Sequence, residues 1–329
     1  MKFLKYTGLI TVLLVIIYFT GPKPSAPVLT TDLPAMPSDA SLLQDTIAKE
    51  EARHPVKPGN EARIVWANDS LKQMTEYAIV YLHGFTASQE EGDPVHVDLA
   101  KRFGCNLYLS RLADHGLDTV DALINFTAER LWNSALRAYA IGKQLGNKVI
   151  LLSTSTGGTL ALMLAARFPE IAANIMLSPN IAINDPNAWL LNNHWGLQIA
   201  RFVKHGNYTY SKDSTPIYKK YWYHRYRLES VVQLEELLEI AMTEATFKKI
   251  TQPTLMLYYY KDETHQDPVV KVSAMKKMFE QLGTPSDKKR AFPIPEAGDH
   301  ILGSYIKSHD LKTVHEECER FLKEVMGMK

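Results

Sequence analysis

Three short runs hold side chains that can do nucleophilic chemistry together. The first, from Val149 to Gly158, reads V-I-L-L-S-T-S-T-G-G, an apolar strand running into a helix. A serine at such a turn, here Ser155, has its hydroxyl presented beside the free N–H groups and dipole of a helix N-terminus. The turn is tight, so the residues two before and two after the serine must be small. Gly157 meets that demand, and Ser153 is a small departure from glycine. A serine hydroxyl is a weak nucleophile until a base takes its proton. Histidine is the side chain whose unperturbed pKa suits that task near neutrality. Among the eleven histidines, His300 follows the last predicted strand, in the run Ile294-Pro295-Glu296-Ala297-Gly298-Asp299-His300. Two candidate acids, Asp262 and Asp267, lie in the loop after the preceding strand. No H-E-x-x-H run or compact His/Cys cluster suggests a metal, and no cofactor is implied.

The elements that must position these groups alternate. Apolar, β-rich runs fall at 62–67, 77–82, 106–110, 148–153, 171–177, 254–259 and 290–294. Between them lie helical patterns at 94–103, 127–145, 157–168, 269–282 and 309–326. Asp93 is the expected N-cap of the first, with Pro94 at its first position. On the second, Leu131, Ala135, Ala138, Gly142 and Leu145 form a stripe whose small members let a helix lie close to a sheet. Repeated strand–helix units predict an α/β fold, with a mostly parallel central sheet and helices on both faces. Cys105 and Cys318 are expected to be buried thiols.

At the strand end Ala78-Ile79-Val80-Tyr81-Leu82-His83-Gly84-Phe85, with the serine turn later and the acid and histidine later still, the chain resembles the α/β-hydrolase superfamily in its serine carboxylesterase and monoacylglycerol lipase-like branch. The resemblance spans residues 62–326. It implies an α/β-hydrolase fold, Ser155 as nucleophile and His300 as general base. It also implies an oxyanion hole made by the backbone N–H groups of Phe85 and Thr156, and it makes His83 structural. The family's acid lies just past the strand at 254–259. Counting from the strand favours Asp262; counting back from the next helix favours Asp267, which opens a D-x-V-V run. The activity implied is hydrolysis of carboxylic esters, of short to medium acyl chain or monoacylglycerol-like, through an acyl-enzyme. A thioesterase or transacylase with the same triad, or a non-catalytic binding module on this fold, are the alternatives.

Residues 61–329 thus read as a catalytic domain, with a helical cap inserted at about 182–250. The insertion is dense in tyrosine and tryptophan, whose large apolar faces and polar edges suit an amphipathic ester or lipid substrate. Residues 23–60 are punctuated by proline and read as a linker holding the domain away from a surface. Residues 1–22 place Lys2 and Lys5 before a long apolar run. They read as a signal-anchor, a transmembrane helix with an extracytoplasmic catalytic domain, or as a cleaved signal of a secreted protein.

The 329 residues carry a net charge of +1, which gives no electrostatic reason to expect a nucleic-acid partner. With 46% hydrophobic residues, the chain can bury a large core without disulfide or metal support. Its oligomeric state is not legible.

Overall fold

The computed structural model describes residues 2–329, without the side chains of residues 2–5. In chain order it forms α1 (Lys2–Phe19), α2 (Ala40–Glu51), β1 (Arg63–Val65), β2 (Thr75–Leu82), α3 (Val95–Arg102), β3 (Asn106–Leu109), α4 (Ala128–Leu145), β4 (Gly146–Thr154), α5 (Thr156–Arg167) and β5 (Ala173–Leu177). An insertion follows with α6 (Gly196–Val203), β6 (Tyr208–Tyr210), α7 (Pro216–Tyr221), β7 (Arg225–Arg227), α8 (Leu228–Ala241) and α9 (Glu244–Phe247). The chain then returns through β8 (Thr254–Tyr258), α10 (Val272–Gln281), β9 (Lys289–Pro293) and α11 (Leu311–Glu324).

Seven strands form one sheet in the order β1-β3-β2-β4-β5-β8-β9. Every neighbouring pair is parallel except β1 with β3. The period of two along each strand divides the core between the faces. Ala78, Val80 and Leu82 of β2 join Val149 and Leu151 of β4 against α4 and α5. Ile79 and Tyr81, with Ile150 and Leu152, pack instead against α3 and α11. This is the predicted α/β architecture. The small stripe of α4 does what its sequence implies: a Cβ on Gly142 would lie 2.4 Å from Val80 Cγ2, so only glycine lets the helix lie this close to β2. Cys105 and Cys318 are both free and buried. Burial pushes the Cys105 thiol up to about 12 and the Cys318 thiol higher still, so neither is a reactive thiolate.

Several local expectations need correction. Asp93 does not cap α3; it ends a 3₁₀ turn at Gln89–Gly92, and Pro94 takes the cap position without a side-chain bond. The helix expected from 269 begins at Val272, because the Asp267 carboxylate takes the N–H groups of Val269 and Val270 in a turn of its own. The insertion is not wholly helical: β6 and β7 pair antiparallel within it.

The reading of residues 1–22 as a transmembrane signal-anchor does not stand. Among the described residues no helix is long and apolar enough to cross a membrane. The 18 residues of α1 reach only about 27 Å at ~1.5 Å per residue, short of a ~30 Å hydrocarbon core. The end of α1 docks on the insertion: Trp195 Nε1 donates to Ile17 O at 2.9 Å, Trp195 N to Pro22 O at 2.9 Å, and His194 stands edge-on to Tyr18 and Phe19. The extracytoplasmic, membrane-anchored placement that depended on a spanning helix falls with it.

The proline-punctuated segment also lies along the domain rather than clear of it. Leu29, Leu33 and Met36 pack on the core, Trp132 Nε1 donates to Thr30 O at 2.7 Å, and Leu43 and Ile47 of α2 are buried.

Candidate active site

The C-terminal ends of β2, β4 and β8, with the loop beyond β9, bring the chemistry-bearing residues to one edge of the sheet. β4 runs into α5 through Ser155, whose backbone sits at φ 53°, ψ −119°. Left-handed φ is unusual for a residue with a Cβ, and the neighbours hold it there. Ser155 N donates to Leu177 O at 3.0 Å, and Ser155 O accepts from Asn180 N at 2.9 Å and Gly158 N at 2.8 Å. The demand for a small residue two positions on is literal: a Cβ on Gly157 would lie 1.9 Å from Leu82 O. Ser153 is fully buried and turns its hydroxyl toward Ile175 O, at 3.3 Å. A serine is therefore accommodated where glycine was expected.

The turn after β2 runs alongside. A Cβ built on Gly84 would stand 2.9 Å from Ser155 Cβ, so the His83-Gly84-Phe85 backbone passes directly over the serine. His83 is buried, and burial first of all holds its pKa well below the ordinary value, leaving it neutral. Its Nδ1 faces Gly84 O at 2.9 Å and its Nε2 accepts from Leu112 N at 3.0 Å, so both ring nitrogens are used structurally. Among the described residues, no hydrogen bond within the chain takes up the N–H of Phe85 or Thr156. Two donors are thus left free beside Ser155, where charge on a tetrahedral oxygen would develop.

His300 and Asp267 meet across the loops after β9 and β8. His300 Nδ1 lies 2.6 Å from Asp267 Oδ2, with His300 only 6% exposed and Asp267 fully buried. A carboxylate only accepts, so the imidazole carries its proton on Nδ1 and presents Nε2 as a base. Burial lowers the His300 pKa, but the Asp267 charge and hydrogen bond, then the charges of Glu91 and Asp299, outweigh it; the net shift is upward.

Asp262 does something else. It is exposed and folds its own loop, accepting from Thr264 N at 2.9 Å and His265 N at 2.8 Å and pairing with His265 Nδ1 at 2.9 Å. Hydrogen bonds from Thr264 and His265 hold its carboxyl well below the usual range.

Glu91 escaped the sequence reading. It sits in the 3₁₀ turn Gln89–Gly92, 2% exposed, with Oε2 2.5 Å from Gly84 N. The signal available was an acid in a short polar run shortly after the His83-Gly84-Phe85 turn, but nothing in its spacing marks it as buried. Arg111 and His115, also near the site in sequence, are structural. Arg111 clamps Glu51 with bonds of 2.6 and 3.0 Å, and His115 Nδ1 faces Ala113 O.

The insertion covers this edge. Tyr226 packs edge-on against Phe85 with ring centroids 5.5 Å apart, and Tyr223 N donates to Thr86 O at 2.8 Å. Ser155 is left 6% exposed.

Residues 79–314 match the model of the alpha/beta hydrolase family. The chain is 28% identical over 191 residues to a thermostable monoacylglycerol lipase from Bacillus sp. (strain H-257), an alignment covering 58% of this chain and 71% of that protein. Among solved structures, that of the metagenome-derived lipolytic enzymes LipS and LipT is similar at a TM-score of 0.66 and 18% identity, over 82% of this chain and 99% of that one. A monoacylglycerol lipase from Paleococcus ferrophilus is similar at a TM-score of 0.57 and 15% identity, over 80% and 99%. At those identities the structures speak to the fold alone.

Proposed function

The chain belongs to the alpha/beta hydrolase family, and from that premise we propose that it hydrolyses carboxylic esters through Ser155, His300 and Asp267. The observation that carries this reading is the 2.6 Å bond between His300 Nδ1 and Asp267 Oδ2, in a chain whose Ser155 occupies a strand-to-helix turn at positive φ. Ser155 Oγ attacks the ester carbonyl while His300 Nε2 takes its proton. Asp267 holds the imidazole in the tautomer that leaves Nε2 free and stabilises the imidazolium. The N–H groups of Phe85 and Thr156 receive the developing oxyanion, each such donor being worth roughly 2.7–4 kcal/mol. The C–O bond to the leaving alcohol breaks as His300 returns the proton. Water, activated in turn by His300, then releases the acid and restores Ser155.

The substrates proposed are short to medium acyl esters or monoacylglycerol-like esters. Two things support that size. The aromatic insertion lies over Phe85, and little of Ser155 is exposed, so a bulky three-chain lipid has poor access. Each acyl methylene adds about 0.8 kcal/mol only while it stays buried. Hydrolysis of p-nitrophenyl esters should therefore rise with chain length and fall once the chain outgrows the site. The test pairs that panel with a fluorophosphonate probe. Rates that keep rising through long-chain triglycerides would overturn the capped site. A serine that labels without any ester turnover would favour a thioesterase or transacylase.

A further inference from the structure

Glu91 is an ionisable group that the hydrolytic scheme leaves unused, yet it touches the backbone that scheme depends on. Its Oε2 accepts from Gly84 N at 2.5 Å. The next peptide unit, Gly84–Phe85, is held at its carbonyl by His83, whose Nδ1 lies 2.9 Å from Gly84 O. A trans peptide is planar, so fixing the Gly84 carbonyl also fixes the Phe85 N–H, which points the opposite way. Gly84 is the pivot between these two held points. Its lack of a Cβ is obligatory, since a Cβ would meet both Glu91 oxygens at 2.9 Å as well as Ser155. The same lack leaves the pivot with the widest backbone freedom of any residue. Glu91 and His83 remove that freedom from its two sides.

We propose that Glu91 is a positioning residue of the hydrolytic site: by holding the Gly84 N–H it aims the Phe85 N–H at the substrate's carbonyl oxygen. The assignment rests on the ester-hydrolysis reading above. It goes beyond that reading in giving the oxyanion donor an ionisable support. Several groups face the Glu91 carboxyl. Tyr81 comes from β2, His300 and Asp299 from the loop after β9, and Tyr218 and Trp222 from the insertion, with Glu90 and Asp93 flanking it on its own segment. Burial pushes the carboxyl up to about 7, against the opposing pull of the Gly84 N–H and of His300.

The charges of Glu91 and His300 act on each other: the His300 imidazolium favours the ionised Glu91, and the ionised Glu91 favours the imidazolium. As pH falls, Glu91 takes a proton and loses its charge-assisted hold on Gly84, while His300 takes a proton and ceases to be a base. Both changes lower activity on the acid side. The ionised Glu91 also raises the His300 pKa, so removing its charge should move the acid limb to lower pH.

The experiment compares full-length wild type, Glu91→Gln and Glu91→Ala. The readouts are kcat and KM for a p-nitrophenyl ester across pH, fluorophosphonate labelling and thermal melting. Glu91→Ala should lose kcat on the order of 10²-fold with KM within about threefold, the cost of a reacting geometry displaced by about an ångström. Glu91→Gln keeps a carbonyl acceptor for Gly84 and should stay within about tenfold of wild type above neutrality, with its acid limb displaced to lower pH. Retention of the wild-type kcat and pH profile by both variants, in an active wild type, would overturn the assignment. If Glu91→Ala does not fold, wild-type kcat in Glu91→Met, which fills a similar volume but gives Gly84 N–H no strong acceptor, overturns it instead. A wild type that neither labels nor turns over ester would remove the hydrolytic reading, and the role of Glu91 with it.

Discussion

Ser155→Ala should remove ester hydrolysis almost completely, by on the order of 10⁶-fold, and abolish labelling by a fluorophosphonate. Ser153, two residues earlier, is fully buried, and its Oγ lies 3.3 Å from the Ile175 carbonyl. Ser153→Ala should therefore keep the label. His300→Ala should fall nearly as far as Ser155→Ala, because a nucleophile without its base is little better than no nucleophile. Label retained by Ser155→Ala, at the same stoichiometry as wild type, would move the nucleophile elsewhere and undo the scheme.

Asp267→Asn should lower kcat about 10³–10⁴-fold while leaving the protein folded. The amide nitrogen can donate where the carboxylate accepts, which favours the tautomer with the proton on His300 Nε2. That tautomer has no lone pair to offer Ser155. Asparagine also keeps a carbonyl for the N–H groups of Val269 and Val270, so the turn into α10 survives. Asp262→Asn should cost less than about tenfold. Its bonds to Thr264 and His265 shape an exposed loop away from the imidazole. The reverse ranking, measured as kcat on one ester, would make Asp262 the acid and the buried pair a structural one.

How far the site was legible differs from residue to residue, for physical reasons. Ser155 and Gly157 were readable because the turn's sterics restrict residue types at fixed spacing, and a Cβ at 157 would collide with Leu82 O. The alternation of strands and helices was readable because each apolar run has a period the sheet or helix demands. The choice between Asp262 and Asp267 was not. Counting from the strand assumed an ordinary loop, whereas Tyr260 bridges to Gln266, Lys261 N donates to His265 O, and Asp267 N returns to Tyr259 O. The intervening residues are pinched off as a side loop and do not advance the chain toward His300.

Glu91 was invisible for a different reason. Its burial comes from tertiary neighbours, among them Trp222 of the insertion, and a 3₁₀ turn of four residues has no periodicity to reveal a buried face. The pairing of β6 with β7 was hidden because strands of three residues carry too little pattern. The N-terminal run misled because hydropathy alone cannot distinguish a helix that spans a bilayer from a shorter one docked on Trp195.

The backbone of Ser155 has a bearing on how much change this protein can absorb. A non-glycine residue at φ 53°, ψ −119° sits roughly 1–3 kcal/mol above a relaxed one. That deficit is permanent, and it is offset by elements that do no chemistry: the bond from Ser155 N to Leu177 O, the bond from Asn180 N to Ser155 O, and the fully buried faces of β2 and β4. The reactivity proposed for Ser155 and the stability of the fold are thereby set against each other at a single residue. The reserve held in the central strands decides how many otherwise harmless substitutions elsewhere the chain can accumulate before it unfolds. Mutational tolerance across the surface is, in this sense, limited by the turn at Ser155, and a variant relaxed at that turn would gain robustness while losing the geometry on which the proposed chemistry depends.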